Sequence, residues 1–382
     1  MLLPWKKGPL ESEVFHWIER APWTPNDGGR SRETEKLMLR SFRHQADAIP
    51  AYAAYVRHLG VDPARVKDWR EIPPVPASAF KSHDLSAAPA ASDGPTSVTF
   101  ETSGTSISQP GRVRLSSTKL YETSLLRNFE RHLLPDEAKL RAVVLGPSMI
   151  ESPTSSLWFM VDRVVREHAI EALYLVHHGD ARWKAADDAF RLAAGSGEPL
   201  LLLGTTLLFM AYFERLRIMD VSFRLPVGSR VMDTGGAKGQ IAEFTRAEVE
   251  QGFEQRLGIP PSHVVNEYGM AEMGSQFYDD GLVAAHERRA PRPGKQIPPW
   301  VRTRVLDPET LDELPDGEPG ILVHYDLANL QIPLAIQTED IGRREGDRLI
   351  LEGRLLGAEA RGCSLAFEEF LESAPASVAP AP

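Results

Sequence analysis

The alternation of buried strands with helices limits most strongly what this chain can fold into. Arg141-Ala142-Val143-Val144-Leu145-Gly146 reads as a buried strand, Ser156 to Arg166 as a helix, Ala172 to Val176 and Leu200 to Leu203 as strands, and Thr206 to about Leu216 as a helix. Short unbroken apolar runs suit strands covered on both faces, and helices supply the cover. The spacing predicts α/β units, hence a mostly parallel sheet with ligand loops at the carboxyl ends of its strands. The stretch Ser229 to Gly239, a short strand and then a Gly-rich turn, and a helix from Arg246 to Leu257 continue the pattern.

At 382 residues the chain exceeds the usual ceiling for one hydrophobic core, so a large domain with appendages is expected. Residues 1–75 read as a helical N-terminal cap in which no chemistry is visible. Phe42, Ala46, Ile49, Tyr52, Tyr55 and Val56 fall at helical spacing, interrupted near Pro50. Residues 76–300 form the α/β core. From Val301 the period changes to two: Val301 to Leu306, Gly320 to Tyr325, Leu334 to Thr338 and Arg348 to Leu351 read as strands joined by turns such as Pro315-Asp316-Gly317. Residues 301–354 are therefore a small β subdomain. Residues 355–373 form a C-terminal segment holding Cys363, and residues 374–382 a Pro/Ala/Ser tail expected to be disordered.

The chain is 42% hydrophobic and 25% charged, with a net charge of -10. That composition suits a soluble globular protein, and its sign argues against electrostatic binding of nucleic acid. Pro4 follows Leu2-Leu3 at once, which leaves no signal-peptide core. The longest apolar stretch, Leu200 to Phe213, is broken by Gly204-Thr205-Thr206 and is too short to span a bilayer. A cytoplasmic protein without a membrane span is expected. The same stretch is apolar enough to border an acyl pocket, although a core strand and helix would look alike. Cys363 is the one cysteine, so no internal disulfide forms.

Four stretches carry candidate chemistry. Thr102-Ser103-Gly104-Thr105-Ser106 follows an alternating strand ending at Phe100. Its glycine and hydroxyls suit a phosphate cradle, although a polar surface loop has the same composition. No lysine stands where a Walker A loop needs one. Gly235-Gly236-Ala237-Lys238-Gly239 follows a short strand; its backbone could approach a flat ligand closely, or simply turn into the next helix. In Tyr268-Gly269-Met270-Ala271-Glu272, Tyr268 could lie against a base and Glu272 could ligate a Mg²⁺ that bridges nucleotide phosphates, while a lone loop glutamate is more often just solvated. Asp340, placed between the last two strands, could accept hydrogen bonds from two vicinal hydroxyls, and Gly353-Arg354 follows the last strand. His177-His178 invites a metal reading, which is set aside because adjacent strand residues face opposite ways.

The order of Thr102–Ser106, then Tyr268–Glu272, then Thr338-Glu339-Asp340 with Gly353-Arg354 beyond, resembles that of the adenylate-forming enzyme superfamily. A closer resemblance, to its LuxE-type acyl-protein synthetase branch, covers about residues 72–373 and rests on five stretches. These are Pro76-Ala77-Ser78-Ala79-Phe80-Lys81, Gly235 to Gly239, Asn266-Glu267-Tyr268-Gly269-Met270, Tyr325-Asp326-Leu327-Ala328-Asn329-Leu330 and Ala360-Arg361-Gly362-Cys363-Ser364-Leu365.

The resemblance implies the large α/β domain of an adenylate-forming enzyme with a truncated C-terminal domain. It implies ATP and Mg²⁺, a carboxylic acid substrate (usually a fatty acid) activated as acyl-adenylate, and transfer to an enzyme cysteine. By position, Thr102, Ser103, Gly104, Thr105 and Ser106 would hold the outgoing pyrophosphate. Gly235, Gly236, Ala237 and Tyr268-Gly269 would form the adenine pocket, and Glu272 would bind magnesium. Asp340 would hold the ribose, Arg354 would sit at a hinge beside it, and Cys363 would be the acylated thiol. The family precedent for onward transfer is an acyl reductase.

Two departures from the family pattern matter. Ala271 stands where a threonine usually touches the α-phosphate, and losing such a charge-assisted bond costs about 1.5–3 kcal/mol. The superfamily's mobile C-terminal domain and its lysine have no counterpart, so Lys238 is the candidate to neutralise charge at the α-phosphate. Cys363 lies two positions after Arg361 and just before a helix start capped by Ser364, features that lower a thiol pKa. A tether from Arg354 to Cys363, at ~3.3–3.6 Å per extended residue, sweeps roughly 30 Å. An inert cysteine packed under the last helix is the plain alternative. Two other functions stay open: an AMP-forming ligase delivering to coenzyme A or a carrier protein, and a weakened nucleotide-binding scaffold.

Overall fold

The computed structural model describes residues 8–23, 28–87, 97–102, 110–235 and 244–354. Ser103 to Ser106, Gly236, Ala237, Lys238, Cys363 and the segments 355–373 and 374–382 lie outside the described residues. The chain divides into two compact units. One takes Met1–Leu125, Met270–Ser275 and Gln296–Pro382; the other takes Leu126–Gly269 and Gln276–Lys295.

The first unit opens with α1 (Pro9–Arg20), α2 (Gly28–Ala48) and α3 (Pro50–His58). The break between α2 and α3 falls at Ile49, whose extended backbone lets Pro50 occupy the first helical turn, where a missing N–H costs nothing. Phe42, Tyr52 and Tyr55 are buried, and the Phe42 and Tyr52 rings meet edge to face at 6.1 Å. Next come β1 (Val75–Pro76), then β2 (Val98–Glu101) and β3 (Arg112–Leu115), which pair antiparallel from Val98↔Leu115 to Glu101↔Arg112. The hydroxyl-rich loop therefore joins two strands of a hairpin. Helix α4 (Lys119–Leu133) follows.

The second unit contains β4 (Leu140–Leu145), α5 (Ser156–His168), β5 (Ala169–Tyr174), a small hairpin of β6 (Val176–His177) and β7 (Asp180–Ala181), and α6 (Trp183–Ser196). Then come β8 (Leu200–Thr205), α7 (Thr206–Ile218), β9 (Arg230–Thr234), α8 (Arg246–Leu257), β10 (Val264–Tyr268), β11 (Phe277–Asp279) and α9 (Gly281–His286). The strands lie in the order β11-β10-β9-β8-β4-β5, parallel from β10 to β5, with β11 antiparallel. This is the predicted parallel α/β sheet. Leu200 to Phe213 belongs to its core, where Phe253 meets Phe209 and Phe213 edge to face, each at 4.8 Å. Helix α8 has the predicted bounds because its ends are written locally. Thr245 and Glu248 form a capping box, and Gly258 stops the helix at φ 72°.

β12 (Lys295–Gln296) precedes the return to the first unit. There β13 (Val301–Leu306), β14 (Gly320–Asp326), β15 (Ala335–Glu345) and β16 (Arg348–Arg354) pair antiparallel in sequence, and β1 adds to β15 in parallel. Two placements differ from the sequence reading. Asp340 is not in a turn between the last strands but inside β15, which runs past Gly342 because a register shift between Ile341 and Gly342 absorbs the irregularity. Arg354 ends β16 instead of following it, and is the cross-strand partner of Asp340. Strand β5 starts at Ala169, earlier than expected, and is half-exposed as the edge of its sheet.

Candidate functional site

Thr102, Glu272, Asp340 and Arg354 belong to the first unit, and Gly235, Tyr268 and Gly269 to the second. Thr102 forms the neck of the hydroxyl-rich loop. Its N–H donates to Gly111 O at 2.9 Å, and its hydroxyl accepts the Gly111 N–H at 3.0 Å. Glycine is needed opposite it, since a Cβ on Gly111 would stand 2.9 Å from the Thr102 hydroxyl and 3.0 Å from the Phe80 carbonyl carbon.

Glu272 sits at 6% exposure in Met270–Ser275, a short segment of the first unit. Its loop is held from behind. Asn329 donates its amide to Glu272 O at 2.8 Å and accepts the Gly274 N–H at 2.8 Å. Ser275 Oγ donates to Asp326 at 2.8 Å and meets Ser124 Oγ at 2.8 Å, while Trp300 Nε1 donates to Ser275 Oγ at 2.9 Å. Burial pushes the Asp326 carboxyl up to about 6, against the lowering effect of these donors. Asp340 and Arg354 face each other across β15 and β16, with Arg354 Nε 3.8 Å from Asp340 and a further guanidinium N–H bonded to Glu339 at 2.8 Å. The Asp340 N–H donates to Thr338 Oγ1 at 3.0 Å, which fixes the backbone beside the carboxylate.

In the second unit Gly235 follows β9 with φ 88°, a backbone that side chains rarely adopt. Tyr268 ends β10 half-buried, its ring tilted against Phe277 at 5.6 Å. Beneath them lies a polar group that sequence reading did not single out. Buried Asp233 accepts from Thr206 at 2.8 Å, Arg246 at 2.7 Å and Asn266 at 3.0 Å; Lys295 donates to Asn266 O at 2.8 Å and Asp279 at 3.0 Å. Glu267, also buried, accepts the Thr234 hydroxyl and so ties the end of β10 to the end of β9. Burial pushes its carboxyl up to about 7, although Thr234 and Lys295 act in the lowering direction. A Cβ on Gly269 would collide with this carboxylate, which explains the glycine after Tyr268. The only signal in the sequence was the run Asn266-Glu267, polar residues in a strand whose start is apolar.

The His177-His178 pair behaves differently from the sequence argument. Both rings approach one carboxylate, Glu151, at 3.7 Å and 3.8 Å, and the His178 N–H donates to it at 2.9 Å. Among the described residues no group of three or more His, Cys, Asp or Glu side chains could hold a metal ion. Glu272 supplies one carboxylate from the Met270–Ser275 segment. That fits Mg²⁺ carried in on phosphates, which takes one or two protein carboxylates and keeps its other oxygens from phosphate and water. Among the described residues no helix is long and apolar enough to cross a membrane.

A family model described as "Acyl-protein synthetase, LuxE" matches residues 15–372. The chain is 24% identical over 349 residues to the long-chain-fatty-acid–luciferin-component ligase of Vibrio harveyi, covering 88% of this chain and 87% of that one. It is 25% identical over 277 residues to the protein of the same name from Aliivibrio fischeri, covering 71% and 69%. Among solved structures, 2-hydroxyisobutyryl-CoA ligase in an open conformation, in complex with 2-HIB-AMP and CoA, aligns with a TM-score of 0.61. The identity is 14%, over 84% of this chain and 74% of that one, a likeness of fold.

Proposed function

The chain belongs to the LuxE acyl-protein synthetase family, and on that premise we propose that it activates a fatty acid with ATP and then carries the acyl group on Cys363. In the first step a carboxylate oxygen of the acid attacks the α-phosphorus, the bond to the β-phosphate breaks, and pyrophosphate leaves with its electrons. In the second, the Cys363 thiolate attacks the acyl carbonyl carbon of the adenylate, the carbon–oxygen bond to AMP breaks, and AMP leaves. A partner, an acyl reductase or a carrier thiol, takes the thioester onward. ATP supply places the reaction in the cytoplasm.

The observation that carries this reading is Glu272, a buried carboxylate on a loop that Asn329 holds at both the Glu272 carbonyl and the Gly274 N–H. Such a group suits an ion that arrives on a nucleotide. Bound there, Mg²⁺ neutralises charge on the phosphates. Thr102 to Ser106 hold the departing pyrophosphate, with the Thr102–Gly111 bonds closing the neck of the loop. Gly235 to Ala237, Tyr268 and Gly269 receive the adenine; Glu267 supports them by joining the two strand ends. Asp340 accepts the ribose hydroxyls, and Arg354, its cross-strand neighbour, orients it. Lys238 offsets charge at the α-phosphate.

Fatty-acid-dependent exchange of labelled pyrophosphate into ATP tests the reading. Exchange that needs both acid and Mg²⁺ is expected. No exchange with any acid from short to long chain would overturn it.

A further inference from the structure

Between β14 and β15 the chain makes a turn, residues 327–334, that is buried almost throughout: Asn329 is 3% exposed and Gln331 4%. Buried turns are uncommon because their backbone polar groups need partners. Here four of the bonds come from one residue of the N-terminal helix α2. Gln45 donates to the carbonyls of Asn329, Leu330 and Ile332, the last at 2.6 Å, and accepts the Leu334 N–H at 3.0 Å. Within the turn, Asp326 accepts the Ala328 N–H at 2.9 Å, and its own N–H donates to Leu334 O at 2.8 Å.

Two side chains leave this turn in a purposeful way. Asn329 holds the Glu272 loop, as described. Gln331 holds the chain just beyond β3: its Oε1 accepts the Ser116 N–H at 2.8 Å and the Ser116 hydroxyl at 2.7 Å, and its Nε2 donates to Ser117 O at 2.7 Å. Strand β3 is paired residue by residue with β2, whose far end is the Thr102 neck. One turn thus fixes both the Glu272 loop and the base of the Thr102 hairpin.

We propose that Asn329 and Gln331 are positioning residues for MgATP, setting the Glu272 loop and the Thr102 hairpin at a fixed spacing, with Gln45 of the N-terminal helix holding the turn that carries them. The inference rests on the reading that Glu272 and the hairpin take the ion and the phosphates. Neither side chain touches the nucleotide; each acts through a loop that does. Helix α2 accordingly serves nucleotide binding through Gln45.

The variants Asn329→Asp and Gln331→Glu keep size and the acceptor oxygen while placing a carboxylate oxygen against Glu272 O or Ser117 O. Calorimetric titration with MgATP, and pyrophosphate exchange at varied MgATP and varied fatty acid, compare them with the wild type. Each variant is expected to bind MgATP about tenfold more weakly, the effect of losing one well-formed bond, with KM for MgATP raised in step and KM for the acid within twofold. Ser116→Ala, which removes one donor and leaves the Ser116 N–H bond, is the gentler variant if the others do not fold, with a few-fold rise in KM for MgATP expected. MgATP affinity within twofold of wild type in the folded variants overturns the inference. A wild type that exchanges pyrophosphate normally isolates that failure from the functional reading, whereas a wild type that binds no MgATP overturns both.

Discussion

Gln45 accepts the Leu334 N–H at 3.0 Å across 289 positions of sequence. The same carboxamide serves three backbone carbonyls, all of them buried. Gln45→Leu leaves these groups without partners in a dry interior, at about 1–3 kcal/mol for each orphaned group that cannot reach water. A loss of about 3 kcal/mol or more in unfolding free energy is expected, read from the denaturant midpoint. A loss under about 1 kcal/mol would show that the turn finds other partners.

On the proposal that Glu272 meets Mg²⁺, Glu272→Gln keeps shape and removes the charge it would offer. Pyrophosphate exchange is expected to fall by about two orders of magnitude, the scale of one lost charge-stabilising group at a transition state. Thermal stability should change little, because Asn329 holds the loop through backbone atoms. Equal exchange in the variant and the wild type would remove Glu272 from the site.

Ala271→Thr tests the departure beside it. On the resemblance's reading that position 271 faces the α-phosphate, the added hydroxyl supplies a bond worth about 1.5 kcal/mol or more, so exchange should quicken about tenfold. An unchanged rate would mean that this chain has replaced the contact by another.

Glu267 predicts a pH effect of definite sign. Its carboxyl titrates at about 7 in the folded protein and at 4.5 ordinarily. Between those values the folded state holds the extra proton, so stability falls as pH rises from about 4.5 to 7 and the penalty is fully present above 7. At ~1.4 kcal/mol per unit it is on the order of 3 kcal/mol. His324, buried and held near 3 by desolvation, works the other way: its contribution is lost as pH falls from 6.5 towards 3. Glu267→Gln should therefore raise the melting temperature at pH 8, with little change at pH 4.5. A variant curve parallel to the wild type across that range would show that Glu267 is ionised throughout.

The sequence exposed the α/β core well because its signals are local. Helix α8 carries its own capping box and stop glycine, and β4 and β8 are unbroken apolar runs. The helix α6 went unread, as alanines and charges cover its faces and its buried side includes Asp187, bonded to Tyr212 at 2.7 Å. Asp340 falls between the strands read at Leu334–Thr338 and Arg348–Leu351, whereas pairing with the neighbouring strands carries β15 through it to Glu345. The motif from Tyr325 to Leu330 was visible, yet no role could be assigned to Asn329. Its partner Glu272 lies 57 residues away, and Gln45, which holds its backbone, lies 284 away.

The central claim, that one chain makes an acyl-adenylate and then carries the acyl group itself, is tested most directly by intact mass. The protein is incubated with ATP, Mg²⁺ and a panel of fatty acids, beside Cys363→Ser and Lys238→Ala. The account predicts one added acyl mass, removed by hydroxylamine, absent from Cys363→Ser and strongly reduced in Lys238→Ala. A wild type that consumes ATP and acid while its own mass never changes would contradict it.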